Sequence, residues 1–275
     1  MTTLKTFMHN KNNNPIGIFD SGIGGLSVLK EAVKQLPHED FIYFCDSKNI
    51  PYGDKKAREL KKIIDESISF LIEKKVKAIV LACNTATSVA IDDLRERYSI
   101  PIIGMEPAVK PAVEKSKSGK VLVLATPLTL EQEKFSKLKE KIDRFGEVAV
   151  LPAENLAGMI EKHLIENYKK NVFSPELEEY LEKIFSHFDL ENISAVVLGC
   201  THYLFIKPYL QKILSEGTKI IDGNEGTIHQ LKKVLESKKL LNNKKEKGTI
   251  RFYSSGYDAL DLQKVFGSII KNYLD

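Results

Sequence analysis

Short apolar runs rich in β-branched residues alternate with longer amphipathic stretches along almost the whole chain, and few folds accommodate that alternation. The runs at 16–19, 40–44, 78–82, 100–103, 121–125, 147–151, 195–199, 219–221 and 250–253 have the length of strands, not of buried helices. Between them, 26–36, 55–73, 88–98, 130–145, 175–188, 207–215 and 259–273 carry apolar residues at helical spacing. Strands separated by helices long enough to cross over them belong to parallel sheets covered on both faces. The expected class is therefore α/β and doubly wound.

The chain also resembles itself. Segment 77–104, KAIVLACNTATSVAIDDLRERYSIPIIG, matches segment 194–223, SAVVLGCTHYLFIKPYLQKILSEGTKIIDG, in the order apolar strand, small residue, Cys, polar pair, helix, strand, Gly. Upstream of each, a further unit matches: the run 16–19 leads into Asp20-Ser21, and the run 121–125 into Thr126-Pro127. Two similar domains related by internal pseudo-symmetry are expected, 1–104 with 222–275 and 105–221, facing each other across a cleft. The polar start, 1–14, is expected to be disordered.

Of the 275 residues 43% are hydrophobic, enough for a sizeable core. No apolar run approaches the roughly 20 residues of a membrane span. The opening MTTLKTFMHNKNNN lacks the apolar block of a secretory signal. A cytoplasmic protein without a membrane partner is expected. The formal charge of +4 rests on scattered lysines, with Arg58, Arg95, Arg97, Arg144 and Arg251 the only arginines. Nucleic-acid recognition draws on clustered Arg and interleaved aromatics, so that partner class is set aside. In a reducing compartment three cysteines are core fillers or reactive thiols and not a disulfide framework.

In open parallel sheets ligands sit beyond the carboxyl ends of the strands, where helix N-termini offer unpaired N–H groups. The polar motifs fall at such places: Asp20-Ser21-Gly22, Cys83-Asn84-Thr85, Thr126 and Cys200-Thr201-His202. Two facing halves would set Cys83 and Cys200 on opposite sides of one cleft. That geometry suits inversion of an amino acid at Cα, which needs a base on one face and an acid on the other. A thiol at a helix N-terminus is tuned for either part. Ser21, Asn84, Thr85 and Thr201 can hold the substrate's carboxylate and ammonium groups, and Pro51-Tyr52-Gly53 is either a simple turn or a turn whose backbone N–H groups contact a side-chain carboxylate.

The less specific readings differ from residue to residue. Cys45, in FIYFCDS with no counterpart in the other half, is read as a core filler. Asp20 is either the N-cap of the first helix or an acid/base partner of Cys83. His202 either makes a structural hydrogen bond or assists Cys200. Gly22-Ile23-Gly24-Gly25 matches neither a P-loop nor the dinucleotide pattern, and is read as a tight turn delivering Asp20 and Ser21. His9, His38, His163, His187 and His229 lack Cys or paired-carboxylate company, so no metal site is expected.

From about Pro15 onward the sequence resembles the glutamate racemases of the aspartate/glutamate racemase superfamily, through GIFDSGIGGLSVL, PYG, LACNTAT, VLAT with Thr129, LGCTHY and FYSSG in order. The resemblance implies two α/β domains with the site between them. It also implies pyridoxal-independent racemization of glutamate, supplying D-glutamate for peptidoglycan. By the same resemblance Cys83 and Cys200 are the catalytic thiols, with Asp20 and His202 assisting. Asp20, Ser21, Tyr52, Gly53, Asn84, Thr85, Thr201 and His202 match substrate-contacting positions. Thr126 and Glu161 are further candidates. No cofactor is expected, and a homodimer is. Leu204 departs from the family's usual Pro, Gln132 and Phe135 from its Ser and Tyr, and LPAENLAGMIE from its usual pattern around Glu161.

Rival functions are an aspartate racemase or another two-cysteine relative, and a non-catalytic amino-acid-binding module of duplicated α/β form. A pyridoxal enzyme is disfavoured because no Lys stands among the strand-end motifs.

Overall fold

A computed structural model describes residues 11–116, 119–143, 146–167 and 174–273. In chain order the first half contains β1 (Ile16–Asp20), α1 (Leu26–Gln35), β2 (Phe41–Cys45), α2 (Ala57–Glu73), β3 (Ala78–Leu81), α3 (Asn84–Arg97), β4 (Ile102–Gly104) and α4 (Val109–Lys115). There follow β5 (Lys120–Ala125), α5 (Pro127–Glu131), α6 (Glu133–Ile142), β6 (Val148–Pro152), α7 (Leu156–Asn167), α8 (Pro175–Phe185) and β7 (Ile193–Leu198). The last elements are α9 (Lys207–Ile213), β8 (Lys219–Ile221), α10 (Asn224–Ser237), β9 (Ile250–Ser254) and α11 (Ala259–Tyr273).

The strands form two parallel sheets, ordered β4-β3-β1-β2-β9 and β8-β7-β5-β6. The first four strands of one correspond in order to the four of the other, and β9 is added at the edge beside β2. The chain thus passes from the first sheet to the second between Gly104 and Lys120, and returns after Ile221.

Alternate residues of each strand point to opposite faces. Ile16, Ile18, Tyr43, Ala78 and Val80 enter one core with Leu26 and Leu29 of α1 and Leu231 of α10. Phe19, Ile42, Phe44, Ile79 and Leu81 enter another with Leu60, Ile64, Ile68 and Leu71 of α2. In the second sheet Val121, Val123 and Val197 pack with α4 and α6. Leu122, Leu124, Val196 and Leu198 join Leu156 and Ile160 of α7 and Leu177 and Leu181 of α8, in the same core that covers α1. Helices on both faces make each sheet doubly wound, and one core is continuous across the two.

All nine strand runs occur as strands, displaced by no more than two residues at either end. Three differences have local causes. The helical run 130–145 is divided at Gln132, whose extended backbone (φ −72°, ψ 139°) separates α5 from α6. The helix expected from 88 begins at Asn84, because the Cys83 side chain caps it. The expected disorder of 1–14 is corrected over Lys11–Asn13, a short 3-10 helix whose Asn12 carbonyl accepts from the buried Lys77 ammonium at 2.6 Å. Residues 1–10, with His9, lie outside the described residues, as does Arg144. Among the described residues no helix is long and apolar enough to cross a membrane.

Candidate active site

β1 ends on Asp20, which is fully buried. Its Oδ1 accepts from Gly22 N at 2.9 Å and its Oδ2 from the Thr201 hydroxyl at 3.2 Å. The N-cap of α1 is Gly25, with no side-chain cap, so the helix-capping reading of Asp20 is set aside. Burial raises the Asp20 carboxyl from 3.8 to about 6, against the lowering effect of His202 and the Gly22 N–H.

Cys83 ends the third strand unit in the way expected. It is the N-cap of α3, its Sγ accepting from Ala86 N at 3.4 Å and from the Ser21 hydroxyl at 3.6 Å. Burial pushes its thiol up to about 12, the Asp20 charge adds to this, and the charge of Cys200 contributes in the same direction.

Cys200 is built differently. It too stands at a helix N-terminus, as the N-cap of a 3-10 helix, Thr201–Ile206, but its side chain makes no cap hydrogen bond of the kind Cys83 makes. In its place stands the imidazole of His202, with Nδ1 3.7 Å from Cys200 Sγ. The other ring nitrogen, Nε2, lies 2.6 Å from Glu161 Oε2 on α7. Ile23 N donates to the same carboxylate at 2.9 Å, fixing it across the seam between the halves. Burial lowers the His202 pKa, but hydrogen bonds to Cys200 and Glu161 outweigh it and hold the imidazole well above its ordinary value.

The glycines of the turn allow this approach. A Cβ on Gly24 would sit 2.4 Å from Thr201 Oγ1 and 2.7 Å from His202 Nδ1, and one on Gly22 would sit 2.6 Å from Glu161 Oε2. The Gly22 carbonyl accepts from the Tyr43 hydroxyl at 2.5 Å, which holds the turn from below.

Three buried hydroxyls close the seam beside Cys83. Thr85 Oγ1 lies 3.0 Å from Thr126 Oγ1 and 3.1 Å from Thr129 Oγ1, and the latter two are 2.8 Å apart. Thr129 was not among the expected site residues, although its place three residues after the N-cap Thr126 was a usable signal. Asn84 is buried, and among the described residues neither end of its amide has a hydrogen-bond partner. The Tyr52 hydroxyl donates to buried Asp46 at 2.6 Å, and Gly53 beside it abuts Thr126. Cys45 is fully buried on β2, and burial pushes its thiol well above the ordinary range. Among the described residues no group of three or more His, Cys, Asp or Glu is arranged to hold a metal ion.

The chain belongs to the Asp/Glu/Hydantoin racemase family, whose sequence pattern matches residues 20–231. Within it the chain stands with the glutamate racemases. It is 53% identical over 242 residues to the glutamate racemase of Clostridium novyi, covering 88% of this chain and 91% of that one. The fold superposes on a crystal structure of a Bacillus anthracis glutamate racemase isoform with a TM-score of 0.82, at 29% identity and 96% coverage of both chains. It also superposes on a Francisella tularensis glutamate racemase in complex with D-glutamate, with a TM-score of 0.77 at 34% identity, again over 96% of both.

Proposed function

We propose that this enzyme interconverts L- and D-glutamate by direct proton transfer at Cα, with Cys83 and Cys200 as acid and base on opposite faces of the substrate. One sulfur takes the Cα proton and leaves the bonding pair on an enolate-like carbanion. The other sulfur delivers a proton to the far face. The observation that carries this is the pair of buried thiols, one from each sheet at equivalent strand ends, each with its own hydrogen-bonding neighbour, Ser21 and His202.

The partners differ in kind. Asp20, whose carboxyl burial raises to about 6 and whose charge acts on the Cys83 thiol, is assigned as the acid/base partner of Cys83. At Cys200 that task falls to His202, steadied by Glu161. Ser21, Asn84, Thr85, Thr126, Thr201 and the backbone of Tyr52 and Gly53 are assigned to substrate binding. The free amide of buried Asn84 supports a ligand contact there, since buried polar groups left without a partner are rare. Glutamate is favoured as substrate by the likeness of the chain to glutamate racemases, one of them in complex with D-glutamate.

Residues 1–104 with 222–275 and 105–221 are taken as the two domains meeting at the site. Three free cysteines suit a reducing cytoplasm, where D-glutamate would serve peptidoglycan synthesis. A homodimer is carried over from the resemblance, and light scattering in solution tests it.

The deciding experiment is incubation of purified, cofactor-free protein with L-glutamate in D₂O. Deuterium at Cα together with D-glutamate is expected. Binding without exchange would reduce the protein to an amino-acid-binding module. Exchange of aspartate in preference to glutamate would move it to the neighbouring specificity.

A further inference from the structure

Two sequence motifs, PYG at 51–53 and FYSSG at 252–256, meet at one buried carboxylate that has no part in the reaction described so far. Asp46 directly follows β2 and is 2% exposed. It opens a 3-10 helix, Ser47–Asn49, yet makes no side-chain cap hydrogen bond there. Its Oδ2 accepts from the Tyr52 hydroxyl at 2.6 Å and its Oδ1 from Ser255 Oγ at 2.6 Å, while Asn49 Nδ2 donates to the two oxygens at 3.0 and 3.1 Å. Asp46 N donates to the Asp20 carbonyl at 2.9 Å, which ties it to the strand end that carries Asp20.

Both sides of this anchor are braced. From the C-terminal turn, Ser255 Oγ accepts from Lys48 N at 3.0 Å, Ser255 N donates to the Cys45 carbonyl at 3.1 Å, and Ser47 and Ser254 share a hydrogen bond at 2.7 Å. On the other side, Tyr52 is buried in the core that also holds Phe19, Cys83 and Leu128, its ring tilted against that of Phe19 at 6.4 Å. A Cβ on the next residue, Gly53, would sit 3.0 Å from Thr126 Cβ, so the backbone there runs against the three hydroxyls that close the seam. Fixing the Tyr52 side chain therefore fixes where the backbone of 52 and 53 faces the second half.

We infer that Asp46 is a positioning residue for substrate binding, holding the Tyr52–Gly53 backbone where it receives the side-chain carboxylate of glutamate. The inference rests on the racemase function proposed above. Four hydrogen bonds fill the acceptor sites of a carboxylate, so Asp46 acts through Tyr52 and not on the substrate. The side-chain carboxylate of glutamate takes no part in the bond changes at Cα, so its contacts are equally strong in the ground and transition states. Weakening them raises KM and spares kcat.

The test is steady-state kinetics beside calorimetric binding of D-glutamate. Tyr52→Phe removes the hydroxyl and leaves the ring in the core. Its KM for L-glutamate is expected to rise roughly 5- to 30-fold, part of what a hydrogen bond to a charged group is worth, with kcat within about threefold of wild type. Asp46→Asn, which cannot accept at both positions, is expected to show the same split, and Kd should rise with KM in each variant. Because the two substitutions break one shared bond, the double variant should lose little more than Asp46→Asn alone. Unchanged KM and Kd in Tyr52→Phe, a loss confined to kcat, or losses that multiply in the double variant overturn the inference. If Asp46→Asn does not fold, Tyr52→Phe decides alone. Failure of the wild type to exchange the Cα hydrogen overturns the function instead. The affinities of wild type and Tyr52→Phe for glutamate then still decide whether this anchor sets the loop.

Discussion

The hydroxyl of Thr201 donates to Oδ2 of Asp20 at 3.2 Å, tying the turn after β7 in one sheet to the tip of β1 in the other. The bond stands at the meeting point of the two proton systems, because Thr201 lies between Cys200 and His202 in sequence and Asp20 next to Ser21, which reaches Cys83.

Asp20 is the group whose ionisation is most directly readable. Its folded pKa of about 6 exceeds the ordinary 3.8, so its contribution to stability is full below the ordinary value and is lost as pH rises through about 6. Asp20→Asn removes that loss. The variant is expected to be more stable than wild type at pH 7.5, by up to about 3 kcal/mol, and to lose the advantage towards pH 4. Its activity should fall, and the acid limb of kcat/KM near pH 6 should disappear. Urea unfolding at the two pH values checks the first claim. An advantage independent of pH would count against it.

Cys83→Ala and Cys200→Ala are each expected to lower kcat by roughly 10²- to 10⁴-fold while glutamate still binds, since each removes one proton carrier. Cys45→Ala is the internal control. Its sulfur is buried on β2, so its loss should be felt in stability and leave turnover within a small factor of wild type. Calorimetric binding measured beside turnover separates the two effects. Full turnover in either of the first two variants would end the two-thiol mechanism.

The strands and the matching placement of Cys83 and Cys200 at strand ends were legible because they depend on local pattern and on a repeat: an apolar run, a small residue, then Cys, twice. The helix starts were less so. Asn84-Thr85 reads as a polar turn until the Cys83 sulfur accepts from Ala86 N and draws it into α3. The helices α4, α7 and α10 were not anticipated, and α7 carries Glu161 in LAGMIEKHLIEN, where apolar residues follow no clean single face. The role of Glu161 comes from contacts with Ile23 and His202, 138 and 41 residues away in sequence. A hydrogen bond between distant segments leaves no periodicity in either.

Gly24→Ala tests the closeness of the seam. The added Cβ falls 2.4 Å from Thr201 Oγ1 and 2.8 Å from the His202 backbone N, so one side must withdraw. A misplacement of that order at a reacting centre costs about 10²-fold in kcat, and the strain about 1–3 kcal/mol in stability. Gly158→Ala, on α7 with open space around its Cβ, should leave activity unchanged. Equal kinetics for the two variants would show that the turn does not set the site.

The source of the proton delivered to the product separates two bases from one. With a thiol on each face, the hydrogen taken from L-glutamate stays on one sulfur, while the D-enantiomer receives its hydrogen from the other, already equilibrated with solvent. Cys83 and Cys200 come from different sheets, and their separate neighbours, Asp20 and Ser21 for the first and His202 for the second, let each exchange its proton independently. In D₂O, D-glutamate collected at early times should therefore carry deuterium at Cα almost completely, and the remaining L-glutamate should still be largely protiated. Mass spectrometry of the resolved enantiomers reads both quantities in one sample. A single base moving between faces would return part of the original hydrogen to the product. Early D-glutamate with substantial protium would thus refute two-base transfer, even if both cysteines proved essential.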